Sequence, residues 1–402
     1  MIPGLDRAAR EAGPRIRAAL AARFRSLDLA EEGWAEACAR AAARWPADGA
    51  PADSGAWLYR TAERAIFDLI RRQSVRDRLS PLPPDPTPGP EDEMLGDHCL
   101  IPDERLRLIF VCCHPAVAPD SRAALTLKMV CGLDTAEIAR AFLLPEPTLA
   151  QRLVRAKRKI AEAGVPFEVP GPAMWRERLE AVLITVEIAY AKAHEDAAGT
   201  GAHSGFAPEM LTLTAALAEL IPDDSDVRAL AATIRFAEAR RPARADAEGL
   251  MIPLSEQDPA RWDQALIHAG RDHLASAGGE SWRVLQAGLH AAWCRRESLT
   301  VRPPWPVILC LYDRMLAYRD DPVVRINRAV ALAEVQGPTH GLAELDRLDH
   351  PGLERFTPFL AARADLMRRS GRNTEAQAAY DTLLAQPLAQ AERRWLERRR
   401  AL

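Results

Sequence analysis

DTAEIARAFLLPEPTLAQRLVRAKRKIAEAG, residues 134–164, reads as two helices joined by a tight turn. Asp134 can cap the first helix, with Glu137 three residues on as its capping-box partner. Ile138 and Phe142 share the inner face of that helix. Pro145 breaks it, because proline has no N–H to donate and its ring clashes with the preceding turn. Pro147 suits the first position of a new helix, where the missing N–H costs nothing. In the second helix Leu149, Leu153, Ala156 and Ile160 form one apolar stripe. Gln151, Arg152, Arg155, Arg158 and Lys159 lie on the opposite side. An apolar back and a cationic front after a short turn is what a DNA recognition helix needs. An ordinary amphipathic hairpin with a solvated basic face fits the same pattern.

Charge around this hairpin is unevenly spread. The whole chain of 402 residues carries a net charge of −3. Residues 1–80 hold 14 Lys/Arg against 11 Asp/Glu, and residues 105–165 hold 10 against 5. Between them, residues 81–104 hold seven acidic residues and no basic one. Two basic blocks flanking an acidic segment suggest two surfaces for an anionic partner. That segment also contains Pro81, Pro83, Pro84, Pro86, Pro88, Pro90 and Pro102, so an extended linker over 80–104 is expected.

The expected architecture is all-α. Residues 1–79 form a first helical domain and 105–168 a second, which contains the hairpin and closes at AGVPFEVPGP, residues 163–172. In the first, Trp34, Cys38, Ala41 and Trp45 lie on one side of a helix, with Glu31, Glu32 and Glu36 on or near the other. AWLYRTAERAIFDLIRR, residues 56–72, follows as a strong helix. Leu58, Ala62, Ile66, Leu69 and Ile70 are its apolar side, and Arg60, Arg64, Arg71 and Arg72 supply much of its charge. Gly132 suits a position just after a helix end.

Residues 173–402 read as helix after helix. Near the end a period of 34 residues relates Gly337 to Gly371 and Leu332 to Leu366. Gly371, Ala376, Tyr380 and Pro387 follow the small, aromatic, proline order of a tetratricopeptide. Two such units cannot bury both faces alone, so they should stack on helices such as 284–293 and 306–318.

The seven cysteines are odd in number and irregular in spacing, so no disulfide framework is expected. Cys112-Cys113-His114 lacks a second ligand pair, and small buried thiols explain it better than a metal. HEDAAGTGAHSG, residues 194–205, reads as a flexible loop. No Gly-rich phosphate loop, nucleophile elbow or metal-ligand set occurs, so neither an enzyme nor a cofactor is expected. The opening MIPGLDRAAREAG has no apolar signal core, and no apolar run is long enough for a bilayer. A cytoplasmic location without a membrane partner is the expectation.

With these pieces in order, the sequence resembles the extracytoplasmic-function sigma factors of bacterial RNA polymerase, in the subgroup with a C-terminal tetratricopeptide-like extension. LAEEGWAEA resembles the region-two helix that docks on polymerase, and GAWLYRTAERAIFDLIRR the helix that reads and opens the minus-ten element. The opening hairpin and the residues after it resemble region four, which reads the minus-thirty-five element. ARRPARADAEG (239–249), EQDPARWDQALI (256–267) and DPVVRINRAVALAEVQGP (321–338) look like stretches of the extension.

The resemblance implies core RNA polymerase and promoter DNA as partners, and a regulatory protein at the C-terminal domain. It implies polymerase contacts at Glu31, Glu32 and Glu36, and minus-ten contacts at Trp57, Tyr59, Arg60, Arg64, Arg71 and Arg72. It implies minus-thirty-five contacts at Thr148, Gln151, Arg152, Arg155, Arg158 and Lys159. Trp57 and Tyr59 would offer faces on which unpaired bases stack. Two departures from the family pattern stand out. Glu63 occupies a place where a base is usual, and Gly33 sits inside a helix at a cost of about 1 kcal/mol relative to alanine. A diverged helix-turn-helix regulator, or a tetratricopeptide-like scaffold that does not open promoters, is the alternative.

Overall fold

Apolar residues spaced by three and four recur along the chain, and the computed structural model folds them into helices. It describes residues 3–76, 102–142, 144–167, 172–195, 206–349, 353, 356–386, 388 and 390–401. Among these no strand occurs beyond an isolated bridge of Ala245 with Met251, and the fold is all-α. Most of the expected linker and of the loop 194–205 lies outside the described residues. The chain divides into two compact units, one of Met1–Ala193 with His203–Leu217, the other of His194–Ala202 with Ala218–Leu402.

The first unit begins with a three-helix bundle, α1 (Pro3–Phe24), α2 (Leu27–Asp48) and α3 (Ser54–Arg76). Ser26 caps α2, its hydroxyl oxygen accepting from the Leu29 N–H at 3.2 Å. Gly33 has a packing reason. A Cβ there would lie 2.5 Å from Ile66 Cγ1 and 2.9 Å from the Ala62 carbonyl oxygen, so its absence lets α2 approach α3. Phe24 meets Phe67 edge-on at 5.3 Å between ring centroids.

Helices α4 (Pro102–Cys112), α5 (Pro119–Met129), α6 (Thr135–Ala141) and α7 (Glu146–Glu162) follow, then α8 (Pro172–Glu195) and α9 (Phe206–Leu220). Helix α4 packs on α1 and on α5, and α7 packs on α5 and α6. Gly132 takes a left-handed φ of 78° after α5, where the sequence places a helix end. Its lack of a Cβ also makes room for the buried guanidinium of Arg17. Cys112 and Cys113 are core groups. The Cys113 thiol donates to Thr185 Oγ1 of α8 at 3.4 Å, and burial pushes it up to about 11. This bond ties α8 to the end of α4 within the first compact unit.

The second unit contains α10 (Ser225–Ala239), α11 (Gln264–Ala277), α12 (Trp282–Trp293), α13 (Trp305–Tyr318), α14 (Pro322–Gln336), α15 (Pro338–Asp346), α16 (Thr357–Arg369), α17 (Asn373–Leu384) and α18 (Gln390–Arg400). Each packs on its neighbour in sequence, with further contacts of α10 to α12 and α14 to α16. Leu285, Met315 and Val324 share one core, so α14 does stack on the two preceding helices. Gly337 and Gly371, one period apart, both take positive φ, 103° and 81°. Leu332, Leu366, Ala376 and Tyr380 are buried, and Pro387 lies outside the described residues. Arg296, in the connection from α12 to α13, has a buried guanidinium that donates to the carbonyls of Ser298, Leu299 and Val301 in that connection and to Ser255 in the long connection from α10 to α11.

Candidate nucleic-acid interface

Helix α7 divides by side as its spacing predicts. Leu149, Leu153, Ala156 and Ile160 are buried. Thr148, Gln151, Arg155, Arg158 and Lys159 are exposed and Arg152 half-buried. The Leu149 N–H donates to the Pro145 carbonyl at 3.1 Å, so the turn leads directly into the helix. Arg158 and Lys159 both reach Glu162, at 3.0 and 3.1 Å. Such exposed pairs contribute little, and a phosphate can displace the carboxylate. Arg152 and Arg155 have no ion pair among the described residues. Five side chains with hydrogen-bonding or cationic ends therefore stand clear of the core on one helix, with Arg152 at the margin.

Helix α3 is different. Arg60, Arg64, Arg71 and Arg72 are exposed. Trp57 is half-buried and packs edge-on against Trp45, with centroids 5.5 Å apart and planes at 62°. Tyr59 is 8% exposed and takes its place in the core, so its ring is not offered for base stacking. The physical reason is that α1 and α2 flank α3 on two sides, and Leu58, Tyr59, Ala62, Ala65 and Ile66 all fill the bundle. Glu63 forms an ion pair with Arg23 of α1 at 3.0 Å. The residue that departs from the family pattern is thus engaged inside the bundle.

The acidic trio of α2 is split. Glu36 pairs with Arg40 on its own helix at 2.8 Å, and Glu32 is exposed. Glu31 is half-buried and meets Lys157 of α7 at 2.6 Å, with Asp28 on the same ammonium at 2.5 Å. Burial draws the Lys157 pKa down, but hydrogen bonds to Asp28 and Glu31 more than offset it, and the value lies above that of an ordinary lysine. Sequence reading missed Lys157 and Asp28. Lys157 falls between the two faces of α7, and nothing local marks a partner 126 positions away.

Residues 107–160, from α4 to near the end of α7, match the sigma-70 region 4 family. Residues 178–278, from α8 through α11, match a family of unknown function, DUF6596. An uncharacterized protein of Rhizobium meliloti (strain 1021), R00370, is 34% identical over 394 residues, which cover 95% of this chain and 91% of that protein. The chain belongs to the family of that protein. Within this family member the candidate interface lies on the second helix of the hairpin, inside the sigma-70 region 4 match, so the chain is sigma-factor-like there. No solved structure matches the chain.

Proposed function

We propose that the protein is a sigma factor that binds core RNA polymerase, recognises promoter DNA and starts transcription. The observation that carries this reading is α7, whose outward Gln151, Arg155, Arg158 and Lys159 lie within the region 4 match. Cations at this spacing neutralise phosphates and set affinity, while polar ends reach base edges in the major groove. Arg60, Arg64, Arg71 and Arg72 of α3 supply the second DNA surface, and Glu31, Glu32 and Glu36 the polymerase surface. Lys157 joins the DNA helix to the polymerase helix, so polymerase would compete with it for Glu31. The helical array of the second unit, tetratricopeptide-like in its glycine period, would receive a regulatory protein and control activity. The site of action on this reading is the cytoplasm. The test is initiation in vitro by core polymerase on a genomic template. Promoter-dependent transcripts are expected, and their absence would overturn the proposal.

A second reading has its own support in α3. With Tyr59 in the core, Trp57 against Trp45 and Glu63 beside Arg23, this helix exposes little aromatic surface. A regulator that binds duplex DNA without opening it would need no more. Permanganate footprinting separates the two, since unpaired thymines react only where a bubble forms.

A further inference from the structure

Val154 is the anomaly on α7. It is 60% exposed, the highest value among the exposed large hydrophobic residues of the described chain. It stands three residues after Gln151 and four before Arg158, next to Arg155, on the side away from Leu149 and Leu153. Folding does not account for it. A β-branched side chain lowers helix propensity relative to alanine, and here it gains almost no burial in return. Its setting says what would cover it. A single apolar group among exposed cations complements a surface that is anionic overall and carries isolated apolar patches. Duplex DNA is such a surface. Its major groove, about 12 Å wide, admits a helix, and the C5 methyl of thymine is the apolar group displayed there.

We infer that Val154 reads a thymine methyl group, which makes it a specificity-determining residue beside the polar and cationic ones. This rests on the proposed duplex reading by α7. Gln151, Arg155 and Arg158 then hold the helix in register through base edges and phosphates, and Val154 contributes discrimination at one base pair. Removing the methyl and removing the valine should have the same effect, and doing both should add nothing further.

The experiment uses the full chain and a random duplex DNA library. After selection, each thymine of the enriched duplex is replaced in turn by deoxyuracil, which pairs identically and lacks only the C5 methyl. For the native chain one replacement is expected to weaken binding roughly four-fold, the factor that burial of one methyl supports. Val154→Ala is expected to bind the thymine and uracil duplexes alike at that position, with melting unchanged or slightly raised, because the side chain is exposed and alanine is the better helix former. Val154→Thr keeps one methyl on the branched carbon and is expected to retain part of the preference. Replacements that leave the native chain indifferent, or that weaken Val154→Ala as much as the native chain, overturn the inference while leaving duplex binding intact. Enrichment of no duplex at all overturns the reading of α7 itself, and the role of Val154 with it.

Discussion

Helices α3 and α7 both turn arginines to solvent, but α7 leaves more of its outward face exposed. Helix α7 rests on α5 and α6 through one stripe and reaches α2 through Lys157, and the side opposite that stripe is left outside. Helix α3 is flanked by α1 and α2, so aromatic and acidic residues that look outward in sequence are drawn into the bundle. The number of sides on which a basic amphipathic helix is packed thus decides which of its outward-reading residues stay exposed.

If α3 is mainly a packing element, truncating its core should cost stability before anything else. Ile66→Ala empties a fully buried site against Gly33 and is expected to destabilise by about 2–5 kcal/mol in denaturant unfolding. A loss under 1 kcal/mol would mean that α3 is held less tightly than its burial implies.

Helix α7 should answer in the opposite way. Arg155→Ala is expected to leave unfolding within about 0.5 kcal/mol of the native chain. It should weaken duplex binding by about 1–3 kcal/mol if Arg155 meets a base edge. If it meets phosphate instead, titration across salt concentrations should show the slope fall by roughly one. Unchanged binding would remove α7 from the DNA surface and erase the contrast with α3.

Glu63 sharpens the comparison from within α3. Glu63→Gln removes the charge facing Arg23 and is expected to cost at most about 1 kcal/mol, because both side chains are partly solvated. The same variant makes α3 less acidic where a base is usual in the resembled family. Stronger duplex binding with little stability loss would show that Glu63 tunes DNA affinity, and weaker binding would show that its pairing positions the helix.

The smallest effect concerns Lys157, the cation of α7 that faces protein. Its pKa is raised by Asp28 and Glu31 beyond what burial takes away. A cation favoured by the fold adds its stability in full below the unfolded lysine value of about 10.4. That contribution is lost as pH rises through the higher folded value. Urea unfolding of the native chain and Lys157→Gln should therefore differ by a constant amount from neutral pH to about pH 10, and converge above it. A difference that persists unchanged at higher pH would assign the effect to packing of the lysine stem.

Much of α7 was legible before any coordinates. Leu149, Leu153, Ala156 and Ile160 mark its buried side by spacing alone, and Pro145 and Pro147 mark its start. The paired glycines 337 and 371 likewise pointed to two turns of one kind, and both adopt positive φ. Gly33 and Glu63 were visible as departures, but their reasons were not. Each is explained by a residue on another helix, Ile66 and Ala62 for the glycine, Arg23 for the glutamate.

Local pattern determines what a helix does with its own side chains, because 3.6 residues per turn sets which of them share a face. In this protein it determined the helices, the hairpin at 134–164 and the cationic front of α7. How many neighbours a helix has, and on which sides, is set by contacts between residues far apart in the chain. Those contacts placed Tyr59 in the core, put Lys157 on Glu31 and Asp28, and left Val154 standing in solvent.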